Sequence, residues 1–188
     1  MMNQTTMSTP VIDPNITMSD LLLRLPGAQR ALFRKYHIGG CSSCGFSPQE
    51  TLAGVCARNE NLPVEEVIAY LHEAHEEEQR LLIDPPALAA ALAETKEPVR
   101  LIDIRTREEF EAARIEAATL FTQEMMQEAL SRWDRSALLV IVDHLGKRSL
   151  DAATFFAGHG FTNVKALRGG VDAWSEQVDP EVPRYELE

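Results

Sequence analysis

Two short stretches carry the residue types that do chemistry: Cys41-Ser42-Ser43-Cys44, and Asp143-His144-Leu145-Gly146-Lys147-Arg148-Ser149. A Cys-x-x-Cys pair lets both sulfurs face one ion or each other. Cys44 also lies just ahead of Ser47-Pro48-Gln49-Glu50, a helix-start signature whose dipole eases thiol ionisation. Three chemistries fit: a redox disulfide, a persulfide held for exchange, or half the ligands of a zinc or iron–sulfur site. A four-ligand metal set within this chain adds Cys56 and either His37 or His72 to Cys41 and Cys44; otherwise a second subunit supplies the same pair. Cys56 shares the apolar spacing of Leu52 and Val55 and reads first as a core thiol.

The second stretch follows the apolar run Leu138-Leu139-Val140-Ile141-Val142 and leads into Leu150-Asp151-Ala152-Ala153-Thr154-Phe155-Phe156. That order predicts strand, tight loop and helix. A helix N-terminus beneath a loop favours an anion, Gly146 supplies a positive φ, and Arg148 adds positive charge. A carboxylate at Asp143 is held as the anion there and makes a poor general acid or base near neutral pH. It reads as an internal plug of the anion site. His144 reads as an exposed loop histidine with no role as base or ligand.

These residues need a scaffold, and the chain predicts two. With 188 residues and 45% hydrophobic content it can build real cores and is no disordered protein. Met1 to Pro14 is polar and Pro-punctuated and is expected to be a disordered tail. Residues 15–79 predict a small all-α domain. Thr17 or Ser19 caps a helix bearing Leu21 to Leu25, a second helix runs from Ala28 to Tyr36, a third covers Thr51 to Arg58, and Pro63 opens a last one with an acidic outer face. Leu81 to Pro86 reads as a linker. Beyond it, strand patterns at Val99–Ile104, Leu138–Val142 and Val164–Leu167 alternate with helical patterns at 87–94, 107–113, 124–133, 150–158 and 171–177. Such alternation predicts an α/β fold over 80–188, a parallel sheet with helices on both faces.

The formal net charge of −11 argues against a nucleic-acid partner, which demands clustered Lys and Arg. No apolar run is long enough to span a bilayer, and Met1 to Pro14 lacks a basic region followed by an apolar core, so no membrane association is expected. Three cysteines in the first third fit a reducing compartment better than a disulfide framework, and the expected location is the cytoplasm.

Leu81 to Tyr185 resembles the rhodanese family. Leu101-Ile102-Asp103-Ile104-Arg105 with Glu108-Glu109-Phe110 is similar to its opening strand and acidic helix. Leu167-Arg168-Gly169-Gly170-Val171-Asp172-Ala173-Trp174 is similar to its closing signature, and Gly146, Arg148 and Ser149 follow position 143 as in its active-site loop. The resemblance implies that Asp143 stands where the family carries its nucleophilic cysteine. It also implies that loop N–H groups once cradling a persulfide or oxyanion now face a carboxylate, which lacks the redox chemistry to carry sulfur. Arg114-Ile115-Glu116-Ala117-Ala118 departs from the family's His-Ile and Pro-Gly-Ala turn. Asp103 and Arg105 are expected to tie the first strand to neighbouring loops. Leu21 to Ala74 resembles the DUF1858 type of helical domain, through Leu-Leu-x-x-x-Pro and the run Arg34-Lys35-Tyr36-His37-Ile38-Gly39-Gly40-Cys41-Ser42-Ser43-Cys44. The resemblance implies a binding or dimerisation unit.

The expected function is a rhodanese-like binding or regulatory module, without sulfurtransferase activity at its loop, in sulfur or iron–sulfur metabolism. A sulfur-relay enzyme that uses Cys41 or Cys44 as persulfide carrier is the first alternative; a metal or iron–sulfur protein is the second. No cofactor is the leading expectation, the protein partner is left open, and a homodimer through the helical domain is expected because that domain alone offers few core residues.

Overall fold

Thr17 and Thr51 explain how the N-terminal helices begin. In the computed structural model, which describes residues 11–39, 45–94 and 99–185, each threonine hydroxyl accepts a backbone N–H three residues on, from Asp20 and Gly54 respectively. They start α1 (Met18–Arg24) and α3 (Leu52–Arg58). The two caps lie side by side in an isolated antiparallel bridge, with Met18 N–H on the Glu50 carbonyl at 2.8 Å and Leu52 N–H on the Ile16 carbonyl at 3.0 Å. Ser47-Pro48-Gln49 therefore forms a turn ahead of α3 rather than its first turn, because Thr51 takes the capping position. α2 (Ala28–Tyr36) ends on His37 in the left-handed region, and α4 (Val64–Arg80) closes the unit with Val67, Ile68, Leu71 and Ala74 inward.

The tail expectation is corrected at its end. Ile12 is 6% exposed and joins the helical core with Ile16, while Pro14 accepts the Ala53 N–H at 2.9 Å, so residues 11–14 are packed structure. Residues 1–10 lie outside the described residues. The chain divides into compact units Met1–Gln79 and Arg80–Glu188.

The second unit is a five-stranded parallel sheet in the order β1-β5-β4-β2-β3. Its strands are β1 (Leu82–Ile83), β2 (Arg100–Asp103), β3 (Thr119–Leu120), β4 (Leu139–Val142) and β5 (Val164–Leu167). The stretch read as a linker is thus corrected: Leu82–Ile83 pairs with Ala166–Leu167, and Pro85, tolerated in a first turn, opens α5 (Pro85–Ala93) at once. Alternation along the strands sends Leu101, Val140, Val142 and Leu167 to one face, and Ile102, Leu139, Ile141, Val164 and Ala166 to the other. The first face is covered by Leu88 of α5, by Phe110 of α6 (Arg107–Ala112), and by Val171 and Trp174 of α9 (Gly170–Gln177). The second is covered by Ala129 of α7 (Gln123–Arg132) and by Leu150, Ala153 and Phe156 of α8 (Arg148–Gly158). Helices on both faces bury a sheet whose central strand β4 is wholly inside.

Candidate functional site

Parallel strands end together, so the carboxyl ends of β2, β4 and β5 gather their loops at one edge of the sheet. Asp143 follows β4 directly and is 3% exposed. Its Oδ2 accepts the Arg148 N–H at 3.0 Å and its Oδ1 accepts the Ser149 hydroxyl at 2.7 Å. The carboxylate thereby satisfies a donor that a helix N-terminus leaves free, where a negative charge is favoured. Of the expected N–H cradle, Arg148 is the backbone donor that reaches it; the Arg148 side chain is exposed, as is Lys147.

The loop is clamped from the other side by the start of α9. Asp143 and His144 carbonyls accept the Val171 and Asp172 N–H groups at 2.9 and 3.2 Å. That approach requires glycine. A Cβ on Gly170, which holds φ +63°, would stand 2.3 Å from the Asp143 carbonyl oxygen, and one on Gly146, at φ +79°, would stand 2.7 Å from the Gly169 nitrogen. The loop is therefore fixed at both ends, leaving Leu145 45% exposed at its tip.

His144 corrects the expectation of an exposed histidine. It is 7% exposed, its ring stacks on Tyr185 with centroids 4.3 Å apart, and its Nδ1 has no hydrogen-bond partner among the described residues. The chain after α9 returns over the loop, held by Val182 in the core, by the Ser175 hydroxyl on the Val182 carbonyl, and by Arg184 paired to both oxygens of Asp172 at 2.7 and 2.8 Å. Asp172 is lowered by the Arg184 hydrogen bond, against a smaller opposing effect of burial.

Asp103 and Arg105 form a buried ion pair at 2.6 Å, with side chains 0% and 1% exposed. The Arg105 guanidinium also donates to the Ala113 carbonyl at 2.6 Å and to the Tyr185 hydroxyl at 2.7 Å, and that hydroxyl donates to Glu109 at 3.1 Å. Burial works against the Arg105 charge, yet Asp103 and Tyr185 outweigh it and raise its pKa. Burial pushes the Tyr185 phenol up, with Arg105 opposing and Glu109 adding to the rise. Asp103 and Arg105 thus tie β2 to the segment before Arg114 and to the returning C-terminal segment. Tyr185 and Glu109 are partners that the sequence reading did not find.

The other candidates fall in the helical unit. Cys41 and Cys44 lie outside the described residues. Cys56 is 2% exposed among Leu52 and Val55, and burial raises its thiol pKa. His37 is exposed, edge-on to Phe33 at 6.1 Å, and lines a surface groove with Lys35, Tyr36, Asn59, Glu60 and Leu62. Among the described residues no three His, Cys, Asp or Glu side chains gather as a metal site. Nor is any described helix long and apolar enough to cross a membrane.

Comparison with known proteins agrees with this architecture. Residues 85–177 match the rhodanese-like domain. The chain is 33% identical over 98 residues to a sulfurtransferase of Allochromatium vinosum, covering 52% of this chain and 91% of that protein. It is 31% identical over 84 residues to thiosulfate sulfurtransferase GlpE of Pseudomonas entomophila, covering 45% and 77%. It is 32% identical over 101 residues to adenylyltransferase and sulfurtransferase MOCS3-2 of Zea mays, spanning 21% of the maize protein's length. With a parallel sheet, the loop after β4 and the glycine clamp of α9 all in place, the chain belongs to the rhodanese-like family.

Proposed function

We propose that this protein is a rhodanese-like module of sulfur metabolism that carries no sulfur on its own loop and acts by binding. The observation that carries the reading is Asp143. It fills the loop position that the family's nucleophile takes, and both its oxygens are engaged by Arg148 and Ser149. A thiolate there would attack the outer sulfur of thiosulfate, form a persulfide and release sulfite; a carboxylate offers no soft nucleophile for that exchange. The fixed loop and its exposed tip remain as a shaped surface.

A sulfur relay is the second reading, and the distribution of thiols favours one version of it. Cys56 is buried with its thiol pushed up, so a persulfide carrier in this chain has to be Cys41 or Cys44. The test is anaerobic incubation of the reduced protein with thiosulfate, followed by intact mass and peptide mapping, alongside an Asp143→Cys variant. The binding module is expected to gain no sulfur, and Asp143→Cys to gain one sulfur at position 143. A sulfur on Cys41 or Cys44 of the unaltered chain would replace the binding reading with the relay. An Asp143→Cys thiol that stays inert would mean that the loop is no longer a rhodanese cradle.

A further inference from the structure

We propose that Pro183-Arg184-Tyr185 fills, in its own chain, a peptide-binding site beside the loop after β4, and that an extended segment of a partner protein, an arginine followed by a tyrosine, takes its place. The proposal rests on the binding reading above and names the class of partner. The site has two halves. One is acidic and lies on α9: Asp172 holds the Arg184 guanidinium at 2.7 and 2.8 Å, with Glu176 at 3.6 Å. The other takes a phenol. The Tyr185 ring stacks on His144 with centroids 4.3 Å apart, while its hydroxyl accepts from Arg105 at 2.7 Å and donates to Glu109 at 3.1 Å. Stacking selects an aromatic ring, and a cation beside a carboxylate selects a hydroxyl that accepts and donates at once.

Three features make the resident segment exchangeable. Residues 183–185 form neither helix nor strand, and among the described residues no backbone hydrogen bond ties them down, so beyond the buried Val182 they are held by side chains. Segments held in this way open at low free-energy cost. The Arg184 side chain stays 50% exposed in its pair with Asp172, where solvent weakens the attraction. His144 is 7% exposed, and its Nδ1 has no hydrogen-bond partner among the described residues. A buried polar atom left unpaired is costly, so the resident segment is not the best ligand for its own site. A partner that brings a polar group to Nδ1 gains what Tyr185 forgoes. Withdrawal without replacement would leave the Arg105 guanidinium, 1% exposed, short of one partner, so the site exchanges occupants rather than standing empty. The net charge of −11 favours the approach of a basic segment.

The probe is a fluorophore-labelled peptide of residues 183–187, Pro-Arg-Tyr-Glu-Leu, titrated by anisotropy against full-length chains up to about 1 mM, the range of weak affinities. Tyr185→Ala, which vacates the phenol half, is expected to bind it. The unaltered chain is expected to bind about tenfold or more weakly, because its own segment must first withdraw. Phenylalanine in place of the peptide's tyrosine is expected to weaken binding to Tyr185→Ala about tenfold or more, the loss of a hydroxyl bonded to charged groups. Alanine in place of the peptide's arginine is expected to weaken it about twofold to fivefold, as for an exposed pair. No binding to Tyr185→Ala overturns the proposal, as does equal binding to both chains, or a phenylalanine peptide that binds as well as the parent peptide. An unaltered chain whose mass doubles in sedimentation, and returns to one copy with Tyr185→Ala, would make the occupant a second copy's segment and overturn the partner assigned here. Should Tyr185→Ala fail to fold, Arg184→Ala decides: it loosens the segment and is expected to bind the peptide more tightly than the unaltered chain, and equal binding overturns the proposal. Sulfur loading plays no part in these readouts, so a failure here is distinct from a failure of the thiosulfate test above.

Discussion

Arg105 is the residue on which the candidate site hangs. Its guanidinium closes an ion pair with Asp103, holds the carbonyl of Ala113 and positions the hydroxyl of Tyr185, whose ring covers His144. Removing one member of a buried pair leaves the other charge uncompensated, so Arg105→Ala is expected to cost about 3–5 kcal/mol. Urea unfolding followed by tryptophan fluorescence reads this, because Trp133 and Trp174 both lie in the second unit. A loss below about 1 kcal/mol, the range of exposed pairs, would remove Arg105 from that position. The roles of Asp103 and Arg105 were legible in the sequence because the two residues are near neighbours at the end of an apolar strand. Tyr185 and Glu109 were not: they reach the guanidinium and the phenol from 80 and 76 residues away, and no local pattern encodes such a meeting. His144 was misread for the same reason, since its cover comes from the far end of the chain.

At the scale of elements, the start of α9 matters as much as the loop it clamps. Gly170→Ala would force a Cβ to within 2.3 Å of the Asp143 carbonyl oxygen and 2.4 Å of that of His144, at a φ of +63° that alanine adopts only under strain. The backbone term alone costs about 1–2 kcal/mol, and the clash adds to it. The expected outcome is a lower urea midpoint, together with loss of the Asp143 and His144 carbonyl bonds, visible as faster amide exchange at Val171 and Asp172. Gly158→Ala is the control, because its site is open and alanine is the better helix former. If Gly170→Ala is no more harmful than Gly158→Ala, the clamp is not what fixes the loop. Long patterned elements were readable: β5 runs over the residues its pattern marks, β4 starts one residue later than its pattern, and β2 is one residue shorter at each end. The edge strands β1 and β3 were not, because two residues have no period and their pairing is set by the neighbouring strand. Thr51, rather than Ser47, starts α3 because its bridge to Thr17 fixes the register, a tertiary choice between two acceptable local caps.

Across the whole molecule, the titrating groups with shifted pKa values set opposite limits on stability. Glu50 is lowered by its hydrogen bond to Arg58, against burial, and Asp172 by its bond to Arg184. For Glu109, burial is outweighed by the Thr106 and Tyr185 hydrogen bonds and by Arg105. A depressed carboxylate stabilises the fold above its unfolded value, about 4, and that contribution disappears as pH falls through the folded value. Cys56 and Tyr185 are raised by burial, so each stabilises the fold below its unfolded value and loses that contribution as pH climbs towards the folded one. The urea midpoint is therefore expected to be flat near neutrality and to fall on both sides, the acid limb lying below about pH 4. Asp172→Asn separates one contribution from the rest. The Arg184–Asp172 pair is partly exposed, so screening limits the loss at neutral pH to about 1 kcal/mol or less. Because that loss is already incurred at neutral pH, the variant's acid limb should be shallower than the parent's. Parallel acid limbs would show that the Arg184 bond to Asp172 does not hold the returning segment over the loop, and that Val182 and Tyr185 suffice.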